Sequence, residues 1–82
     1  MNEVWGLEEK ARRVLQASAV EAYNRTGVYV MMDKVMKRAG LLDTEQFQTI
    51  AKYLESQGYI AEADADYGVF VLTPEGIELA VQ

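Results

Sequence analysis

Cysteine and histidine are absent from the 82 residues, and proline occurs once, at Pro74. Without cysteine there is no disulfide framework, no thiolate nucleophile and no structural zinc site of the usual kind. Without histidine there is no imidazole base, no Ser-His-Asp triad and no His-ligated metal. An enzyme would have to run on carboxylates, lysine and hydroxyls in a domain too small for a deep cleft, since ligand pockets usually take about 300 Å³ or more. Catalysis is therefore not expected. The six glycines stand singly at element ends and turns (Gly76, inside the first turn of the last helix, is the exception), so no phosphate-cradling loop is present and no cofactor is expected. No stretch approaches the run of about eighteen apolar residues that reads as a membrane span. Met1-Asn2-Glu3-Val4-Trp5 has no basic region followed by an apolar one, so the expectation is a cytoplasmic protein without a secretory signal.

What is present is ordinary globular composition, 50% hydrophobic and 26% charged, at a length that predicts one domain over residues 1–82. The net charge of −5 is unevenly spread. Residues 1–41 hold seven bases and five acids, +2; residues 42–82 hold eight acids and the single base Lys52, −7. The second half of the chain is thus strongly acidic.

Apolar spacing predicts a helix over 7–24, with Leu7, Ala11, Val14, Leu15, Ser18 and Ala22 on its inner face and Asn24-Arg25-Thr26-Gly27 as its stop. Val28-Tyr29-Val30 reads as a short strand. Residues 32–39 read as a second helix that Gly40 ends, with Met32, Val35, Met36 and Ala39 inward. A third helix over 43–57 opens on Asp43, with Gln46 completing a capping-box pattern, and closes at Gly58 with Tyr59 folding back. Tyr59–Ala63 and Val69–Leu72 read as a hairpin around the turn Asp64–Gly68. Thr73 caps a last helix with Pro74 at its first position and Ile77 and Ala80 inward.

Two helices joined by Ala39-Gly40-Leu41-Leu42 and followed by a hairpin make a helix-turn-helix with a β-wing. The segment Tyr53-Leu54-Glu55-Ser56-Gln57-Gly58-Tyr59-Ile60, a wing turn, and Val71-Leu72-Thr73-Pro74-Glu75-Gly76 resembles the winged helix-turn-helix superfamily of transcription regulators. The resemblance covers nearly the whole chain. It implies an α+β winged helix: a three-helix core, a two-stranded wing, a short extra strand and a C-terminal helix.

The resemblance also implies a DNA-binding or transcription-regulatory module whose third helix enters the major groove of double-stranded DNA. On that reading Gln48 and Thr49 face base edges and Lys52 a phosphate, Thr44 and the helix N-terminus donate to phosphate, and Lys34, Lys37 and Arg38 add positive charge from the second helix. The wing departs from the family pattern. DNA-binding wings usually carry Arg or Lys at the tip, and this one carries Glu62, Asp64 and Asp66. Affinity for DNA rests largely on neutralising phosphates, which three carboxylates oppose. The alternative is therefore a protein-interaction module that uses the acidic wing and the third helix and binds no DNA.

Glu62-x-Asp64-x-Asp66 is not read as a metal site. A calcium loop begun at Asp64 would need its third ligand where Gly68 stands, and alternating acids on the solvent side of a hairpin explain the pattern. Val20 and Tyr23 stand opposite the inner face of the first helix; burial under the last helix or Trp5 is the expectation, and a partner surface the alternative. Winged-helix regulators are commonly dimers, so the resemblance makes a homodimer an expectation as well. Met31, Met32 and Met36 are expected to fill core gaps together.

Overall fold

Helix α1 runs from Asn2 to Glu21 in the computed structural model of the chain, which describes the backbone of residues 2–82 and the side chains of residues 8–82. Its stripe of Ala11, Val14, Leu15, Ser18 and Ala22 is buried. Leu7, expected to extend that stripe, and Trp5, expected as a cover, lie outside the described side chains. Ser18 is accommodated in the core because its hydroxyl donates to the Val14 carbonyl one turn back at 2.6 Å. The helix stops three residues earlier than the apolar pattern predicts. Tyr23 and Asn24 turn left-handed, with φ of 55° and 58°. Their amides donate to the Val20 and Ala19 carbonyls at 3.2 and 2.8 Å. This is a Schellman-type closure made without glycine. Gly27 instead turns the following loop, so that its N–H reaches the Leu72 carbonyl at 3.3 Å.

The chain continues as β1 (Val30–Met31), α2 (Met32–Ala39), α3 (Thr44–Ser56), β2 (Ile60–Asp64), β3 (Val69–Leu72) and α4 (Pro74–Ala80). Among the described residues the architecture is α+β, with four helices and one antiparallel sheet of strand order β1-β3-β2. β1 begins two residues later than Val28-Tyr29-Val30 predicts. Its register is set by one buried side chain, Val30, which lies opposite Phe70. Alternation then turns Met31 to the outer face of the sheet, so of the three methionines only Met32 is buried and Met36 half-buried. β2 begins at Ile60 because Tyr59 is used in closing α3. The Gly58 and Tyr59 amides donate to the Glu55 and Leu54 carbonyls at 3.1 and 3.0 Å, and Gly58 is left-handed at φ 80°.

The core lies between the helices and the inner face of the sheet. Val14 and Leu15 of α1 meet Val35 of α2, Phe47, Ile50 and Leu54 of α3, and Ile60, Phe70 and Leu72 of the sheet. The Phe47 and Phe70 rings sit 6.5 Å apart between centroids, tilted by 42°, within the favourable range for aromatic pairs. α1 backs the other three helices.

The sheet and α4 join at one tight junction. The Thr73 hydroxyl accepts from the Gly76 N–H at 3.1 Å and donates to the Gly58 carbonyl at 2.6 Å. The Thr73 N–H donates to the Tyr59 carbonyl at 3.2 Å. Gly76 is buried here because a Cβ at that position would overlap the Tyr59 carbonyl oxygen and crowd Leu72. Alanine in a helix is intrinsically better than glycine by about 1 kcal/mol. Overlap with backbone cannot be relieved by a rotamer change, and overpacking costs about 1–3 kcal/mol or more. The second effect wins. Gly76→Ala is expected to lower stability by about 1–3 kcal/mol, read as a lower urea midpoint at unchanged m-value, while the exposed Glu78→Ala stays within about 0.5 kcal/mol.

Candidate functional site

Two surfaces hold most of the residues singled out by sequence; Val20 and Tyr23 lie apart from both, at the end of α1. The first is the outward side of α2 and α3. Thr44, Glu45, Thr49, Lys52, Glu55 and Ser56 are exposed on α3. The packing of Phe47, Ile50, Ala51 and Leu54 into the core forces this face outward. Lys52 therefore stands among Glu45 and Glu55 on one helix face. Gln48 is half-buried, its amide nitrogen donating to the Met32 sulfur at 3.6 Å, and it lies at the rim of the face. The Thr49 hydroxyl donates to the Glu45 carbonyl at 3.1 Å.

The N-terminus of α3 is already occupied. One oxygen of Asp43 accepts from the Glu45 and Gln46 amides at 3.0 and 3.2 Å. These are donors that a phosphate would need at this end of the helix, and the capping carboxylate and Glu45 would repel it. On α2, Lys34 and Lys37 are exposed. The Arg38 Nε donates to a Glu21 carboxylate oxygen at 2.9 Å, which ties α2 to α1 and answers the guanidinium charge. The exposed positions of α2 and α3, with the Asp43 cap, thus set three lysines not ion-paired among the described residues (Lys34, Lys37, Lys52) beside four acids (Asp33, Asp43, Glu45, Glu55).

The second surface is the wing together with the outer face of the sheet. β2 and β3 pair Ile60 with Leu72, Ala61 with Val71 and Asp64 with Val69, so β2 carries one extra residue. The bulge centres on Glu62, which is left-handed at φ 52°. A non-glycine residue in that region costs on the order of 1–2 kcal/mol. The strained residue receives a partner: the Tyr29 hydroxyl donates to a Glu62 carboxylate oxygen at 2.6 Å. Tyr29 precedes Val30 in β1, so it continues the register toward Val71. β3 lies between β1 and β2, so this hydrogen bond spans the sheet from the β1 side to Glu62 on β2.

The wing acids do not act alike. Asp64 is half-buried, and one of its carboxylate oxygens accepts from the Asp66 and Tyr67 amides at 3.0 and 3.2 Å. Its carbonyl accepts from the Gly68 N–H at 2.7 Å. Asp64 is thus the residue that builds the turn, a local side-chain cap of the Asx type. Asp66 is exposed at the tip. Simple alternation of solvent-facing acids does not describe the hairpin, because the bulge at Glu62 breaks the period of two. Glu62, Asp64 and Asp66 do not converge into a metal-holding group; no such group occurs among the described residues.

Beside these acids lies a hollow of about 670 Å³ lined by Tyr29, Glu62, Ala63, Asp64, Tyr67 and Val69. Tyr29 is 58% exposed and Tyr67 81% exposed. Met31, opposite Val69 in the register, adds a third exposed apolar side chain to the same face. Tyr29 and Tyr67 carry no functional expectation from sequence, and Met31, expected to fill the core with Met32 and Met36, lies instead on this outer face. The signal available was the period of two around the inward Val30, which sends both neighbours to the other side of the sheet.

Val20 and Tyr23 are not buried as expected: they are 54% and 83% exposed. α4 does pack on α1, but on the flank of Ala11 and Leu15, where Leu79 shares a hollow with Tyr53 and Tyr59. Val20 lies on the other flank, beside Arg13, Gln16 and Arg38.

No helix of the described residues is long and apolar enough to cross a membrane. No family model matches the chain, and neither a curated protein nor a solved structure matches it.

The contact between Tyr29 and Glu62 has a titration consequence. The phenol is raised above its ordinary value of about 10, first because its hydrogen bond to Glu62 requires the proton, and then because the carboxylate charge opposes a phenolate. A pKa raised in the folded state contributes stability that is present below the unfolded value and is lost as pH rises through the folded value. Ultraviolet titration of tyrosinate should show one phenol, Tyr29, ionising above the ordinary range, and Glu62→Gln should bring it back toward that range.

Proposed function

We propose that the chain is a winged-helix domain, with α2 and α3 as its helix-turn-helix and β2–β3 as its wing, and that it works by binding a protein rather than duplex DNA. The observation that carries this reading is the charge on the outward face of α3. A recognition helix meets a polyanion, and affinity follows from the number of phosphates neutralised. Here Lys52 is flanked by Glu45 and Glu55, and the Asp43 carboxylate occupies the helix N-terminus. Arg38 is paired with Glu21, and the wing offers Asp66 where a phosphate contact would need a base. Exposed apolar side chains on the outer sheet face supply the kind of surface that protein contacts use.

The DNA-binding, transcription-regulatory reading keeps one observation in its favour: Lys34, Lys37 and Lys52 are exposed and make no ion pair among the described residues. Fluorescence anisotropy with labelled random duplex DNA separates the two. At low salt, where phosphate attraction is least screened, the expected result is no binding through the micromolar range. Micromolar binding that weakens steeply with added salt and disappears in Lys52→Glu would overturn the proposal and restore the groove-reading roles of Gln48 and Thr49.

A further inference from the structure

The outer face of the sheet joins two properties, exposed apolar side chains and acids without an ion-pair partner among the described residues. Tyr29, Tyr67, Met31 and Val69 give it an apolar, aromatic floor. Glu62, Asp64 and Asp66 stand at its margin, and none of the three is ion-paired among the described residues. The chain supplies no base beyond Lys52, so neither strand of the hairpin can offer a counter-charge.

We infer that this face docks an arginine-bearing segment of a partner protein, the guanidinium lying against the Tyr67 and Tyr29 rings with Asp66 and Glu62 as its counter-charges. The inference rests on the protein-binding reading above. Charge selects the occupant. A purely apolar segment would leave the acids uncompensated, and an acidic one would be repelled by them. Arginine fits better than lysine, because a planar guanidinium stacks on an aromatic face and pairs with carboxylates through two parallel hydrogen bonds. The hollow of about 670 Å³ has room for such a side chain and part of its flanking backbone. Strand addition is the less suitable mode here. β1 has two residues, and the bulge and acids of β2 disturb a straight ladder.

The test is anisotropy of a labelled peptide of alternating arginine and glycine, compared with its lysine counterpart and titrated with the wild-type chain, Tyr67→Ala, Asp66→Asn and the control Glu45→Gln. Tyr67 and Asp66 are exposed at the turn, so the variants are expected to fold, which far-ultraviolet circular dichroism checks. The expected result is binding of the arginine peptide that Tyr67→Ala weakens about tenfold and Asp66→Asn several-fold, with Glu45→Gln unchanged and the lysine peptide several-fold weaker. Amide shifts confined to residues 29–31 and 62–69 would place the peptide on this face. Absence of binding at low salt would overturn the inference. So would binding that is indifferent to Tyr67→Ala and equal for the two peptides, since that reports general attraction to an acidic chain. The duplex titration separates the two levels: no peptide site and no DNA binding rejects this surface alone, whereas DNA binding rejects the reading it rests on.

Discussion

The hydroxyl of Thr73 stands where three segments of the chain meet. It caps α4 through the Gly76 amide and holds the end of α3 through the Gly58 carbonyl, while its own amide holds Tyr59. Because Gly76 has no Cβ, the first turn of α4 can press directly on the Tyr59 backbone. The wing strands leave and return within this knot: β2 begins one residue after Tyr59, and β3 ends one residue before Thr73. Loosening it would free both ends of the hairpin at once, and with them the register that places Phe70 against Phe47.

That junction matters more in a chain of 82 residues than it would in a larger one. A domain of this size buries a smaller share of its surface, so each well-made contact is a larger fraction of a marginal total. The core is one layer of side chains between α1, α2 and α3 and the inner face of a short sheet. Phe47 and Phe70 are its two largest fully buried residues, and they come from different layers. Their contact therefore depends on the hairpin being held at both ends. Local closures add to the Thr73 junction at the base and at the tip of the hairpin: left-handed Gly58 after α3, and the carboxylate of Asp64 over the wing turn.

Helix positions were legible where spacing and caps agreed. α2 occupies the anticipated residues 32–39, Asp43 and Thr73 cap as their side chains suggest, and β3 spans Val69–Leu72. The misreadings have local causes. The end of α1 was placed too late because the apolar and helix-forming pattern continues through Ala22 and Tyr23, and nothing in a tyrosine announces a left-handed closure. The bulge at Glu62 was invisible because alternation of acids mimics a regular strand. That one irregularity turned an apparent row of solvated carboxylates into three residues with different duties. The exposure of Val20 and Tyr23 was missed for a topological reason: a helix pattern shows that a flank is apolar, but not which neighbour chooses it. On the face of α3, Thr49 and Lys52 point outward as their spacing predicts, whereas Gln48 is half-buried against Met32, and the electrostatics of the face emerge only when Asp43, Glu45 and Glu55 are set around Lys52 in space.

Sorting the acids by what the fold does with each gives the physical ground for the proposed preference for a protein over a phosphate backbone. Asp43 is consumed in capping α3, Asp64 in shaping the turn, Glu21 in anchoring Arg38, and Glu62 in receiving Tyr29. Each accepts a hydrogen bond from a donor on another part of the fold or of its own turn. Folding gives no such account of Asp66, Glu45 and Glu55, which are exposed and make no ion pair among the described residues. Structural acids retain most of their charge as seen from outside, because an exposed hydrogen-bonded carboxylate is still an anion. The folding requirement therefore makes the wing and the start of α3 acidic, and the remaining acids deepen that field instead of cancelling it. A cationic partner is attracted by both sets at once, whereas a phosphate must overcome both before reaching the three lysines.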